Sequence, residues 1–203
     1  MKSLLILGAG GFGHMIKETA QVLGYEEIVF LDDMVKEDDV IGMCCDYVIK
    51  HEDYPVAVAA FGNNKTRLFW TDKLLEEGYE VPAIVHPSAV VSPSVTLEPG
   101  CFIMQRSVVN TNTKIERAAL VNSGAVVDHN SVVCAGAHVG LGSVVKANCT
   151  IESGRKVEAG EVIFSTRRKI EGVDSRSLED AVYAFGLWTT VQLCEAIWRR
   201  TYQ

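Results

Sequence analysis

Every sixth residue from Val85 to Ile163 is aliphatic. The series runs Val85, Val91, Leu97, Ile103, Val109, Ile115, Val121, Val127, Val133, Val139, Val145, Ile151, Val157 and Ile163. Valine, isoleucine and leucine make up about a quarter of the chain, so fourteen in one register would arise by chance on the order of once in 10⁸. Four residues after successive aliphatics stand Ala89, Val95, Cys101, Ser107, Thr113, Ala119, Ala125, Ser131, Ala137, Ser143 and Cys149, all small or fairly small except Val95. A strand alternates with period two and a helix with 3.6, so a strict six fits neither. It fits a β-solenoid of short strands and tight turns, with the aliphatic inside and the small residue where the chain bends. Three hexads per coil predict roughly four and a half coils between Val85 and about Ser165. A coil alone cannot bury its face, so stability must come from stacking on its neighbours.

The segment before the repeat follows other rules. Residues 4–7 read as a buried strand, followed by Gly8-Ala9-Gly10-Gly11-Phe12-Gly13, a helical stretch from His14 to Leu23 and a closing Gly24. Residues 28–31 form a second strand ending at Asp32-Asp33, and residues 56–61, after Pro55, a third. Thr66 to Glu77 reads as a helix closed by Gly78. This order is βαβ logic with a parallel sheet. Gly8, Gly10 and Gly13 make G-x-G-x-x-G between strand and helix, where the backbone can approach a pyrophosphate at a helix N-terminus. Asp32 lies nineteen residues after Gly13, about where a ribose-binding acid belongs. A dinucleotide fold needs two such halves, roughly 150 residues. Only about 84 residues precede the repeat, so one nucleotide suits the segment better than NAD. A glycine turn without a ligand is the plain alternative.

Composition removes whole classes of function. The 203-residue chain carries a net charge of −7, which argues against a general grip on nucleic acid or an anionic membrane. No apolar run approaches the roughly 18–20 residues of a membrane span, and the N-terminus lacks the pattern of a signal peptide. Six cysteines without a Cys-x-x-Cys pair or a secretion signal point to reduced thiols in a cytoplasmic protein rather than disulfides or structural zinc.

Five histidines remain as candidate bases: His14, His51, His86, His129 and His138. His51 sits in the polar run Lys50-His51-Glu52-Asp53 and reads as solvated, and His86 beside Pro87 reads as a junction. His129 and His138 fall inside the repeat, nine residues apart, half of an 18-residue coil. On one chain that spacing puts them on different parts of the coil section; they could meet across a subunit boundary. Surface histidines at solenoid corners are the bland alternative.

The combination of a short glycine-loop segment and a hexapeptide repeat resembles the sugar O-/N-acyltransferases of the sialic acid O-acetyltransferase (NeuD) and UDP-4-amino-sugar N-acetyltransferase (PglD) type. The matching text is Gly8-Ala9-Gly10-Gly11-Phe12-Gly13-His14, Phe30-Leu31-Asp32-Asp33, Gly62-Asn63-Asn64-Lys65-Thr66-Arg67 and Val85-His86-Pro87-Ser88-Ala89, with Val121–His129 resembling the catalytic stretch. The resemblance runs from about residue 2 to about residue 152. It implies an α/β Rossmann-like segment (residues 1–84), a left-handed parallel β-helix of hexapeptide repeats (85–166), and a tail with a C-terminal α-helix (167–203).

The resemblance also implies a function. It is acetyl-CoA-dependent acetylation of a nucleotide-linked amino sugar in bacterial surface-glycan or glycoconjugate biosynthesis, by a homotrimer with active sites between protomers. Gly10, Gly13, His14, Asp32, Asp33, Asn63 and Arg67 would then lie near the nucleotide or its phosphates. Asn63-Asn64 also reads as a polar turn and helix cap. His129 matches the general base that takes the acceptor's proton. His138 matches a histidine near the thioester, with Ala147 beside the coenzyme. Relatives often follow the base with a carboxylate, but this chain has Asn130. An amide orients the ring without charging it, and Asp128 on the other side would point away along a strand. The γ-carbonic anhydrases share the fold but use a His-x-x-x-x-His zinc pair, which is absent here, so no metal is expected.

Past Ile163 the small residues lapse, and the coenzyme-binding turn usual in relatives is missing. Arg167, Arg168 and Lys169 could meet coenzyme A phosphates or stay solvated. Leu178, Ala181, Val182, Phe185, Trp188, Val191 and Trp198 make an apolar stripe near helical spacing, suited to capping the open solenoid end. Two rival functions stay open: O-acetylation of sialic acid or another sugar, and a non-catalytic scaffold that kept the solenoid and lost the chemistry.

Overall fold

A computed structural model describes residues 2–164. The expected C-terminal helix and the basic residues Arg167 and Arg168 lie outside the described residues.

The chain begins with β1 (Ser3–Leu7), α1 (Gly11–Val22) and β2 (Glu27–Leu31). A short helix α2 (Tyr47–Lys50), β3 (Ala57–Ala59) and α3 (Asn64–Glu77) follow. The three strands form a parallel sheet in the order β2-β1-β3. The central strand is buried on both faces, as its unbroken Leu4-Leu5-Ile6-Leu7 run requires. Helix α1 starts at Gly11, three residues before the apolar pattern begins, because the glycine turn itself closes into helix after Gly10. A Cβ on Gly13 would stand 2.0 Å from the Gly8 carbonyl oxygen, so this close strand–helix approach admits only glycine. Helix α3 is capped at its start by Asn63, whose Oδ1 accepts from the Thr66 N–H at 3.0 Å, and ends at Gly78 with φ 95°.

From Ile84 onward the chain is a parallel β-helix. Each strand is two residues long and pairs with the strand 18 residues away, for example Val126 with Val108 and Val144. This gives three parallel sheets of five, five and four strands, the faces of the coil. The sixfold aliphatics and their small partners fill one continuous interior core, and from Ile103 to Val157 every one of the aliphatics is fully buried. Burying one such side chain is worth about 1.5–3 kcal/mol, and the gain is realised only when the next coil stacks on it.

The corners turn on residues with positive φ, and each corner has its own chemistry. Arg106, Gly124, Gly142 and Gly160 turn the chain between the first and second faces. Asn112, Asn130 and Asn148 do so between the second and third, and Gly100, Ala118, Gly136 and Gly154 between the third and first. Asparagine tolerates this region best among residues with a side chain. At Gly136 a Cβ would come 3.1 Å from Leu68 Cβ, so this last corner is kept small to let α3 lie against it.

The outward residues of the first face explain how the two parts join. Ile84, Phe102 and Leu120 are buried beneath the α/β segment and share a core with Leu4, Ile16 and Phe30. Phe12 meets Phe102 edge to face at 5.3 Å. The same register then changes to His138 and Lys156, where apolar cover ends. On the second face the outward register is Val90, Val108, Val126, Val144 and Val162. Of these, Val90 is 63% and Val162 42% exposed.

Candidate active site

His129 stands exposed on the corner between the second and third faces, directly after the strand Val126–Val127. Its Nδ1 lies 2.9 Å from Asn130 Nδ2. Asn130 Oδ1 in turn accepts from Asn112 Nδ2 at 3.3 Å, one coil away. Asp128 does not face the ring. Its Oδ1 accepts from the His129 backbone N–H at 2.8 Å and from Asn110 Nδ2 at 3.1 Å, and these two bonds, the first above all, hold its carboxyl below the usual range. Ala147 occupies the corner position 18 residues on, one coil from His129.

His138 has the opposite setting. It begins a first-face strand at the edge of the α/β segment and is half-buried. Its Nε2 meets Asn122 Nδ2 at 3.1 Å, and its Nδ1 is buried with no hydrogen-bond partner. Burial, then the Arg67 and Lys156 charges, push its pKa down to about 4, so the ring is neutral at physiological pH. His138 lines an open cleft of about 630 Å³ with Gly62, Asn63, Asn64, Lys65, Gly154 and Lys156. One wall is the start of α3, the other the last coils of the solenoid.

Arg67 is where expectation and structure part. The guanidinium, expected near phosphates, is 0% exposed. Its Nε donates to the Ala118 carbonyl at 2.7 Å and Nη1 to Phe61 at 3.0 Å. Its Nη2 donates to Gly136 at 2.9 Å and to Asn64 Oδ1 at 3.1 Å. All its nitrogens are engaged, so it ties α3 to the solenoid and has none left for a ligand; burial lowers its pKa to about 10. Asn64 extends the stitch, donating to Gly154 and Arg155 carbonyls at 3.0 and 3.3 Å.

The remaining expected residues gather at the carboxyl ends of the three strands. Gly10 and Gly13 open α1, and His14 lies on its first turn, 3.3 Å from Glu37 Oε2. Asp32, after β2, is spent differently from a ribose-binding acid. Its Oδ2 accepts from the Ala9 N–H and its Oδ1 from Met34 and Val35, all at 2.8 Å. Burial raises its pKa, but those three bonds outweigh it and keep the carboxyl ionised below its ordinary range. Asp32 thus clamps the glycine loop to the strand beside it. Asp33 accepts from the Cys44 N–H at 2.9 Å, and both acids line a second hollow with Val35, Lys36, Glu37 and Met43. Asn63 caps α3 and also lines the cleft beside His138. Among the described residues no cluster of His, Cys, Asp or Glu could hold a metal ion, and no helix is long and apolar enough to cross a membrane.

The PglD N-terminal domain model matches residues 3–74. PerB from Caulobacter crescentus, solved with CoA and GDP-perosamine, is 29% identical over 81% of this chain and 89% of its own, with a TM-score of 0.69. The acetyltransferase domain of PglB from Neisseria gonorrhoeae is also 29% identical, over 83% of this chain and 94% of that one, with a TM-score of 0.64. The same domain in complex with acetyl coenzyme A gives 29%, 80% and 92%, with a TM-score of 0.63.

The chain is similar to hexapeptide-repeat sugar N-acetyltransferases of the PglD type, in its N-terminal segment and in its solenoid.

Several residues beside the histidines escaped the sequence reading. Asn122 on His138, Asn112 behind Asn130, and Lys65 with Lys156 in the cleft are the main ones. An 18-residue step finds two of them. It leads from Asn130 back to Asn112, and from His138 on to Lys156.

Proposed function

We propose that this acyltransferase moves an acetyl group from acetyl-CoA to the amine of a nucleotide-linked amino sugar, with His129 as general base. The observation that carries the reading is His129 exposed on an open corner with Nδ1 held by the Asn130 amide, which leaves Nε2 for an acceptor; Nε2 presents its lone pair when Asn130 turns its Oδ1 to an Nδ1–H. The amine nitrogen attacks the thioester carbonyl, a C–N bond forms, and the amine proton passes to His129. The C–S bond then breaks and the coenzyme leaves as its thiol. His138, held neutral, serves as a hydrogen-bonding group beside the coenzyme, with Ala147 next to His129 one coil away.

The nucleotide would sit outside the carboxyl ends of the strands, the usual ligand position when strand order reverses, here between β1 and β3. Gly10, Gly13, His14, Asp33 and Asn63 would then contribute to its binding. Similarity to PerB, solved with CoA and a nucleotide sugar, supports both ligands. The valine stripe of the second face, whose middle member Val126 lies in the strand before His129, fits a second copy of the chain, and so a homotrimer with shared sites. Five free cysteines among the described residues fit a reducing cytoplasm.

A thiol-release assay with acetyl-CoA and a panel of UDP-, dTDP- and GDP-linked amino sugars tests the reading. Turnover on one acceptor, falling by about 10²–10⁴ in His129→Ala, is the expected result. Full turnover in the variant would remove His129 as base, and turnover only on a sugar hydroxyl would replace the amine acceptor.

A further inference from the structure

The asparagine at the base's corner is one of a register. Positions 112, 130 and 148 are all asparagine, all with φ between 56° and 59° or within a degree of that range, and stacked at 18-residue intervals. A glycine would turn this corner at no steric cost, as it does at the other two corners. The side chains therefore do something the turn does not need. Between two of them the amides form a directed chain: Asn112 Nδ2 donates to Asn130 Oδ1 at 3.3 Å, and Asn130 Nδ2 meets His129 Nδ1 at 2.9 Å.

That direction decides the chemistry of the ring. A neutral imidazole carries one proton, and a nitrogen that accepts a hydrogen bond cannot be the one that bears it. With Asn130 Nδ2 donating to Nδ1, the proton sits on Nε2, and Nε2 can give a proton but not take one. With the chain reversed, Asn130 Oδ1 accepts from Nδ1–H, and Nε2 presents its lone pair. Asn130 cannot reverse alone, since its Nδ2 would then face the Nδ2 of Asn112. Both amides must turn together.

We propose that Asn112 is a positioning residue that acts through Asn130 to set which ring nitrogen of His129 carries the proton. The catalytic consequence rests on His129 being the base; the tautomer does not. A carboxylate in the place of Asn130 would only accept, and would fix the ring in one state. Here two neutral amides make the state reversible, and the residue that biases it lies one coil away.

The test uses the full chain with ¹⁵N-labelled histidine, comparing wild type with Asn112→Asp and Asn112→Leu. An aspartate at this position can only accept, so it draws the Asn130 Nδ2–H to itself and turns Oδ1 toward the ring. The ring ¹⁵N shifts of neutral His129 should move from the Nε2–H to the Nδ1–H pattern in Asn112→Asp, and to a mixture in Asn112→Leu. Acetyl transfer should rise by about two- to tenfold in Asn112→Asp, the scale of one hydrogen bond. The same ring tautomer in all three proteins overturns the proposal. A tautomer that switches while His129→Ala keeps full turnover upholds the positioning role and overturns the base assignment instead.

Discussion

His129 and His138 belong to the same repeat and share almost nothing else. Nine residues of separation put one on a corner and the other on a face. The corner residue is exposed and meets only side chains of its own solenoid corner. The face residue is half-buried, and the start of α3 forms the far wall of its cleft. Water and a neutral amide surround the first. Desolvation and two cations keep the second uncharged. A solenoid therefore supplies two kinds of histidine from one repeat: an exposed ring on a corner, and a half-buried ring confined to hydrogen bonding. What separates them is the α/β segment, which covers the first three outward positions of one face and none of the corner.

Arg67 is the largest lever on that difference. Replacing it by Met removes a charge held by five hydrogen bonds and leaves the Ala118, Phe61 and Gly136 carbonyls without their donor. The expected cost is about 3–5 kcal/mol of unfolding free energy in urea. Arg67→Lys keeps the charge but not the planar fork, and should cost about 2 kcal/mol. In both variants the His138 cleft should loosen while the His129 ring signals stay in place. Signals from both rings moving together would mean that the corner and the cleft are one unit.

His138 gives the next effect, and it depends on pH. Its folded pKa is about 4, below the ordinary 6.5 of the unfolded chain. Between these values the unfolded chain binds the proton and the folded one does not, so stability is lost as pH falls from about 6.5 towards 4. Allowing for partial exposure, the loss is about 2 kcal/mol. It should disappear in His138→Leu when unfolding at pH 7 and pH 4.5 is compared. An equal acid loss in the leucine variant would place the titration elsewhere.

The solenoid was legible because its constraint is local and absolute. An interior position repeated every six residues admits only aliphatics, so the pattern survives any choice of surface residue. The small residues at 101, 107, 119, 125 and 137 were legible for the same reason, and all are buried. Strands and glycine stops of the α/β segment were legible too, Gly24 and Gly78 both falling at positive φ. The charged residues were not. Arg67 and Asp32 carry chemistry that suits a nucleotide, and nothing in their neighbours along the chain says that carbonyls and N–H groups already occupy them. The signal for Arg67 lay far away, in the small series Gly100, Ala118, Gly136 and Gly154, which leaves room at one corner for a helix to lie against it. That series has meaning only once the 18-residue coil is known.

The smallest effect tests whether the His129 corner is organised at all beyond its turn. Asn110 Nδ2 donates to Asp128 Oδ1, the same oxygen that accepts the His129 backbone N–H. Asn110→Ala removes one of the two bonds that favour the ionised carboxylate. The folded carboxyl lies below its ordinary range, so the stabilisation is present near neutrality and is lost as pH falls through the folded value. Because Asp128 is largely solvated, the expected loss at pH 7 is only about 0.5 kcal/mol, read as a shift in thermal midpoint. Asp128→Ala removes the same bond together with the one from the His129 N–H, so it should cost somewhat more, and adding Asn110→Ala to it should cost little further. Losses that simply add would show that Asp128 works through its charge on Lys146, one coil away, rather than through Asn110. In that case the corner is held by electrostatics that salt would screen. With the hydrogen bond as the cause, the shift persists in salt, and the corner, like the cleft, is built by fixed partners.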